Sequence, residues 1–203
     1  IGTCLVGSEM CIRDRDNVTI RFAGDSGDGM QLSGGRFTQT SAIMGNDLST
    51  LPDFPAEIRA PAGSLAGVSS FQIHFSSQEI HTPGEKPDVL VAMNPAALKV
   101  HLKDLTPGGA LIINKNAFTN KNLKLAGYDS DPTEDGSLED YYSTHFIEMS
   151  KMVELACEGI DLSPKLIDRT KNLCALGVLF WMYDRPLEPT IDWLNKKFKS
   201  KSD

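Results

Sequence analysis

Residues 17–31 read NVTIRFAGDSGDGMQ, and this stretch decides the fold. Its first part, residues 17–23, alternates in polarity and is rich in β-branched side chains, which is typical of a strand. Three glycines follow within residues 24–29, and a helical spacing of apolar side chains begins at Met30. The stretch therefore predicts a strand, a tight turn and a helix, in the order that opens many α/β domains.

Strands and helices continue to alternate along the rest of the chain. Apolar or alternating runs predict further strands at residues 47–50, 68–75, 89–93, 110–114 and 145–149. Helical spacing predicts helices at residues 30–44, 95–105, 150–159, 163–184 and 189–199, with a surface helix and loop within 119–140. Residues 51–67 are rich in Pro, Ala and Gly and predict a long irregular segment. We therefore predict a single α/β domain, Rossmann-like, with a mainly parallel sheet and helices on both faces.

Composition limits the classes of partner. The 203 residues carry a formal net charge of -7, which disfavours binding to nucleic acid. No apolar run approaches the roughly 20 residues of a membrane span, so we expect no membrane partner. The four cysteines form no CxxC pair, which indicates neither a zinc nor an iron–sulfur site. Small core cysteines in a reducing compartment are expected, and we predict a cytoplasmic location.

The first fifteen residues, IGTCLVGSEMCIRDR, do not resemble the rest of the chain. Their charges follow the apolar part, which is the reverse of a signal peptide. The string MCIRDR at residues 10–15 matches an in-frame translation of a transposase end sequence used to prepare DNA libraries. We expect residues 1–15 to be a non-native scar or a disordered terminus.

The glycine turn leaves two interpretations open on its residues alone. Its spacing is GxxGxG, which is neither the dinucleotide fingerprint GxGxxG nor a P-loop. Glycines admit a phosphate close to the backbone, and the N-terminus of the next helix favours an anion. However, Asp25 and Asp28 place negative charge there, and they suit capping of the helix equally well. A phosphate cradle and a tight turn with a capping Asp or Ser both remain open, and a nicotinamide dehydrogenase is less favoured.

A second charged segment lies in the irregular region, where residues 53–63 read DFPAEIRAPAG. Two prolines and a glycine stiffen it around Arg59. A fixed arginine suits bidentate contact with a carboxylate or phosphate. An ion pair with Glu57 or Asp53 that holds the loop is the alternative.

Four separated segments resemble one known family. They read VTIRFAGDSGDGMQLSGG, DFPAEIRAPAGSLAGVSSFQIHF, KPDVLVAMNPAALKVHLKDLTPGGALIIN and RTKNLCALGVLFW. In this order they resemble the gamma-type domain of 2-oxoacid:ferredoxin oxidoreductases, and most closely the alpha subunit of the 2-oxoglutarate type. The resemblance spans about residues 17–198, so we predict a gamma-type domain over residues 16–203 of a C-terminally truncated subunit.

The resemblance implies oxidative decarboxylation of a 2-oxoacid to an acyl-CoA and CO2. Electrons pass through an iron–sulfur cluster to ferredoxin in this family, and thiamine diphosphate with Mg carries the reaction. We expect the fragment alone to hold none of these cofactors and to have no metal site, with coenzyme A as co-substrate. A beta subunit is the expected partner in a hetero-oligomer, and ferredoxin is reached through that complex.

The resemblance also implies where coenzyme A would pass, although no catalytic residue is assigned to this domain. The predicted contact residues belong to the turn, the arginine loop and the end of the 89–93 strand: Gly24, Asp25, Ser26, Gly27, Asp28, Gly29, Met30, Gln31, Glu57, Arg59 and Asn94. A purely structural assembly domain of the same complex is the alternative function.

Overall fold

A six-stranded sheet forms the centre of the molecule. The computed structural model describes residues 17–57 and 60–199. The strands occur in the order β2-β3-β1-β4-β5-β6 across the sheet. Their bounds are β1 Asn17–Asp25, β2 Asp47–Asp53, β3 Val68–Ser76, β4 Val89–Ala92, β5 Ala110–Asn114 and β6 Ser143–Ile147. Only β3 runs against the other five strands, so the predicted mainly parallel sheet is confirmed.

Helices cover both faces of this sheet, as predicted. They are α1 Met30–Ile43, α2 Pro95–His101, α3 Asn120–Leu125, α4 Met149–Ala156, α5 Pro164–Asp168, α6 Lys171–Met182 and α7 Glu188–Phe198, with short 3-10 turns at Leu65–Gly67, Leu102–Asp104 and Lys115–Ala117. One core contains side chains of α1, α4 and α6, and the other contains side chains of α2 and α3. Successive residues of β4 alternate between the two cores, because side chains of a strand point to opposite faces. The continuous apolar run of that strand is thereby explained.

Two predicted boundaries are wrong for physical reasons. Strand β2 extends three residues beyond the predicted end at residue 50, because Leu51–Asp53 continue the antiparallel pairing with β3. Pro52 is tolerated there since β2 is an edge strand. The helix predicted over residues 163–184 is interrupted between Asp168 and Lys171, and the break turns Lys171 toward the glycine turn.

The remaining departures are small. Strand β6 begins two residues earlier than predicted, because the parallel pairing with β5 starts at Ser143. The helix predicted over residues 95–105 tightens into a 3-10 turn after His101. The division at residue 15 lies outside the described residues and stays a prediction.

Candidate functional site

The glycine turn lies where an α/β sheet offers a natural crevice. Strands β1 and β4 are parallel neighbours, and both end at the same edge of the sheet. Helix α1 follows β1 on one face, whereas α2 follows β4 on the opposite face. The chain therefore diverges between these two strands, and ligands of open α/β sheets bind at such switch points.

Two hydrogen bonds join the turn to the irregular, Pro- and Ala-rich loop that follows β2. The N–H of Gly63 donates to Oδ2 of Asp25 at 2.9 Å. The N–H of Ser26 donates to the carbonyl oxygen of Gly67 at 3.1 Å. The Pro/Ala-rich loop is therefore held beside the carboxyl end of β1, although the two segments are about forty residues apart in sequence.

An open cleft lies between the turn, this loop and helix α5. Its volume is about 350 Å³, within the roughly 300–1,000 Å³ range of small-molecule sites. The lining residues come from these three segments: Asp25, Ser26, Gly27, Asp28, Ala60, Pro61, Ala62, Gly67, Lys165, Asp168 and Arg169. The cleft thus combines small residues with charges of both signs.

The glycine at position 29 is required by the packing of α6. Gly29 has φ +75°, in the left-handed region, and it precedes the first residue of α1. A Cβ there would lie 2.3 Å from Nδ2 of Asn172, which is buried at the start of α6. The hydroxyl of Ser33 donates to the carbonyl oxygen of Asn172 at 3.1 Å. The lack of a side chain at Gly29 therefore allows α6 to pack against the end of the turn.

The two aspartates of the turn pair with other groups and do not cap α1. Helix α1 has no side-chain capping hydrogen bond, so the capping interpretation is wrong for Asp25, Ser26 and Asp28. Asp28 accepts a hydrogen bond from the N–H of Asp25 at 3.1 Å. The Nζ of Lys171 lies 3.3 Å from Oδ1 of Asp28 and 3.1 Å from Oδ2 of Asp168.

The charges of this cluster shift each other's pKa. Burial and the adjacent Asp28 carboxylate raise the pKa of Asp25, and the N–H of Gly63 and the side chain of Asn94 offset part of that rise. Burial alone would lower the pKa of Lys171, but Asp28 and Asp168 outweigh it and raise that pKa. Lys171 is therefore held as a cation between two carboxylates.

Comparison with known proteins places this architecture in a family. The family model described as "Pyruvate ferredoxin/flavodoxin oxidoreductase" matches residues 19–203, which is most of the chain. The chain belongs to the pyruvate ferredoxin/flavodoxin oxidoreductase family. Among curated proteins, 2-oxoglutarate oxidoreductase subunit KorA of Mycobacterium tuberculosis is 54% identical over 186 residues. That alignment covers 92% of this chain and 28% of KorA, so the chain spans less than a third of that relative's length.

A shorter relative and two solved structures agree. The 2-oxoglutarate synthase subunit KorC of Methanothermobacter thermautotrophicus is 35% identical over 108 residues, 52% of this chain and 53% of KorC. The 2-oxoglutarate:ferredoxin oxidoreductase of Magnetococcus marinus, solved with 2-oxoglutarate, coenzyme A and succinyl-CoA bound, matches with a TM-score of 0.69 and 25% identity. The match covers 94% of this chain and 28% of that one.

The second structure supports the fold alone. It is the keto/oxoacid ferredoxin oxidoreductase gamma subunit of Geobacter sulfurreducens, with a TM-score of 0.54 and 18% identity over 80% of this chain and 75% of that one. These matches confirm the predicted resemblance to the oxidoreductase family and to its 2-oxoglutarate type.

Within this family member, the predicted contact residues do not all reach the cleft. Met30 is buried in the core, and the side-chain amide of Gln31 donates to the carbonyl oxygen of Ser70 at 2.9 Å. Asn94 is buried, and its Oδ1 accepts from the N–H of Ala97 at the start of α2. These three side chains therefore have structural contacts.

The predicted loop contacts are only partly described. Glu57 is exposed, and its backbone N–H donates to the carbonyl oxygen of Ala66 at 3.2 Å. Arg59 lies outside the described residues. Its role, and the alternative ion pair with Glu57 or Asp53, stay predictions.

Sequence reasoning missed the residues that complete the cleft from the C-terminal half. Lys165, Asp168 and Arg169 line it, and Lys171 neutralises two of its carboxylates. The RTKN string at residues 169–172 opens one of the four segments that resemble the family. The available signal was the presence of two cations, Arg169 and Lys171, at the start of a segment shared with the oxidoreductase family.

Two negative findings concern the described part of the chain. No helix within residues 17–57 and 60–199 is long and apolar enough to cross a membrane. In the same residues, no three His, Cys, Asp or Glu side chains are grouped so that they could hold a metal ion.

Proposed function

We propose that this chain is part of a 2-oxoglutarate:ferredoxin oxidoreductase, in which its cleft at the glycine turn contributes to the path of coenzyme A. The activity is oxidative decarboxylation of a 2-oxoacid, with 2-oxoglutarate as the substrate, to an acyl-CoA and CO2. The observation that carries the proposal is the position of the cleft at the β1/β4 switch point in a chain 54% identical to KorA.

The cleft has features that fit a long, mixed-polarity ligand. Gly27, Ala60 and Ala62 keep side chains small along one wall, so a ligand can approach the backbone. Lys165 and Arg169 supply positive charge to the same cleft. The solved Magnetococcus enzyme contains coenzyme A, which combines phosphates with an amide-bearing arm, and it shares the fold of this chain.

The rest of the reaction is assigned to other parts of the complex. The chain contains no CxxC pair and, in its described residues, no cluster that fits a metal ion. In the proposed complex, thiamine diphosphate with Mg and the iron–sulfur cluster would be held outside this domain, at least in part by a beta subunit. Ferredoxin would accept electrons from that complex, and the chain would be one piece of a cytoplasmic hetero-oligomer.

A purely structural role in assembly is the second candidate. Helices α4 and α5 and the loop between them expose apolar side chains: Met152 at 48%, Leu155 at 62%, Ile160 at 57% and Leu166 at 46%. Exposed apolar groups in one region are typical of surfaces that contact another protein. In this case the turn and the loop would be buried against partner subunits without touching coenzyme A.

Hydrogen–deuterium exchange on the full-length subunit in its complex separates the two candidates. Adding coenzyme A is expected to slow exchange at the backbone amides of residues 24–29 and 60–67, because a bound ligand restricts local opening of the segments it contacts. A complex reconstituted without coenzyme A is the reference. Protection confined to other segments would contradict the proposed path and favour the assembly role.

A further inference from the structure

Two cations that line the cleft have side chains without a partner in the part of the chain that the structure describes. Lys165 and Arg169 are exposed, and among the described residues neither side chain forms an ion pair or a hydrogen bond. Lys171, only two residues beyond Arg169, is used fully by Asp28 and Asp168. Lys165 and Arg169 are therefore available to a ligand, whereas Lys171 is committed to two carboxylates.

Lys165 and Arg169 are also placed to act together. They are four residues apart, and Arg169 continues the right-handed helical backbone of α5 as its C-terminal cap. Residues at this spacing lie on the same side of a helix, about 5–6 Å apart between their Cβ atoms. An arginine fork and a lysine point charge on one side suit an anion with several oxygens, such as phosphate groups.

The glycine turn has the reverse character. Asp25 and Asp28 lie in the turn, and their carboxylates are held by the Gly63 N–H and by Lys171, respectively. Fixed carboxylates repel phosphates but accept hydrogen bonds from amide N–H groups. The cleft therefore offers available cations from α5 and carboxylate acceptors from the glycine turn, and the remaining carboxylate of α5, Asp168, is held by Lys171.

We propose that Lys165 and Arg169 bind the phosphate groups of coenzyme A and so determine its orientation in the cleft. The nucleotide end lies against α5, and the amide-bearing arm runs along the turn at Asp25. This assignment rests on the proposed function, since it specifies which side chains recognise the co-substrate. Under this assignment α5, and not the glycine turn, recognises the phosphate groups.

The test is the double variant Lys165→Ala/Arg169→Ala in the full-length subunit within its complex. The KM for coenzyme A is expected to rise about tenfold, because two partly exposed charge pairs with its phosphates are lost. The KM for 2-oxoglutarate should stay unchanged. The dependence of the coenzyme A KM on salt should become shallower, since fewer charge pairs remain to be screened.

A matched control removes two other exposed lysines. Lys121→Ala/Lys124→Ala makes the same change in net charge on α3, which lies on the other face of the sheet. This control should leave the KM for coenzyme A and its salt dependence as in the wild type. The swap Lys165→Arg/Arg169→Lys keeps both charges and should retain most of the affinity.

The outcomes distinguish this assignment from the proposed function. A normal coenzyme A KM in the alanine double variant, or an equal rise in the 2-oxoglutarate KM, would overturn the role of the two cations. If the wild-type complex still shows coenzyme A protection at residues 24–29 and 60–67, the path itself stands. Absence of that protection in the wild type contradicts the proposed function.

Discussion

Replacing Gly34 by alanine is expected to lower the free energy of unfolding by about 2–3 kcal/mol, in spite of the better helix propensity of alanine. Gly34 lies in α1, and a Cβ there would be 2.1 Å from Cδ1 and 2.4 Å from Cγ of the Phe71 ring on β3. These atoms are close to the backbone of a central strand, so the ring cannot move away freely. Thermal unfolding should show a loss of about 5–10 °C.

The next residue provides the matched control. Gly35 lies in the same helix, and nothing lies within 4 Å of a Cβ built there. Gly35→Ala is therefore expected to raise the free energy of unfolding by about 0.5–1 kcal/mol, as helix propensity alone dictates. Equal effects of the two substitutions would show that α1 does not approach β3 as described.

Replacing Lys171 by methionine is expected to lower the free energy of unfolding by about 2 kcal/mol, below the 3–5 kcal/mol typical of a fully buried pair. Its side chain is 16% exposed, and that of Asp28 is 15% exposed. Methionine keeps the apolar contacts but leaves the carboxylate of Asp28 without its cation near Asp25. Denaturant unfolding at neutral pH measures the change.

An exposed pair serves as the reference for this prediction. Lys151 and Glu148 lie 3.2 Å apart, and their side chains are 61% and 55% exposed. Lys151→Met should change the free energy of unfolding by no more than about 0.5 kcal/mol, because solvent screens such pairs. A Lys171→Met loss as small as that of Lys151→Met would mean that Lys171 does not hold the turn to α6.

The strands of the sheet could be predicted because the pattern that indicates each strand spans only a few consecutive residues. The β4 run is apolar over its whole length since both its faces are buried, and the residues alone reveal that. The glycines of the turn likewise indicated a strand-to-helix connection. The segment order then indicated the family, which the match over residues 19–203 confirms.

Contacts between distant residues could not be predicted in this way. Gly34 looks like a weak helix residue until Phe71 is placed opposite it, and Gly29 requires Asn172, more than one hundred residues away. The pairing of Asp28 with Lys171 could not be predicted either. It depends on the helix break before Lys171, and that break contains neither Pro nor Gly. The sequence therefore suggested that Asp25 and Asp28 cap α1, whereas their carboxylates pair with the Gly63 N–H and with Lys171.

Passage of coenzyme A through the cleft is tested most directly by filling the cleft with a larger side chain. A Cβ at Gly27 meets nothing within 4 Å, and the residue does not have a positive φ, so Gly27→Leu adds bulk to the cleft without backbone strain. The measurement is the KM for coenzyme A in the full-length complex, with Gly35→Leu on α1 as the control. We predict that Gly27→Leu raises the KM for coenzyme A at least about tenfold, since a loss of about 1.4 kcal/mol in binding free energy suffices for that. The control Gly35→Leu should leave this KM unchanged. An unchanged KM for coenzyme A in Gly27→Leu would contradict the account.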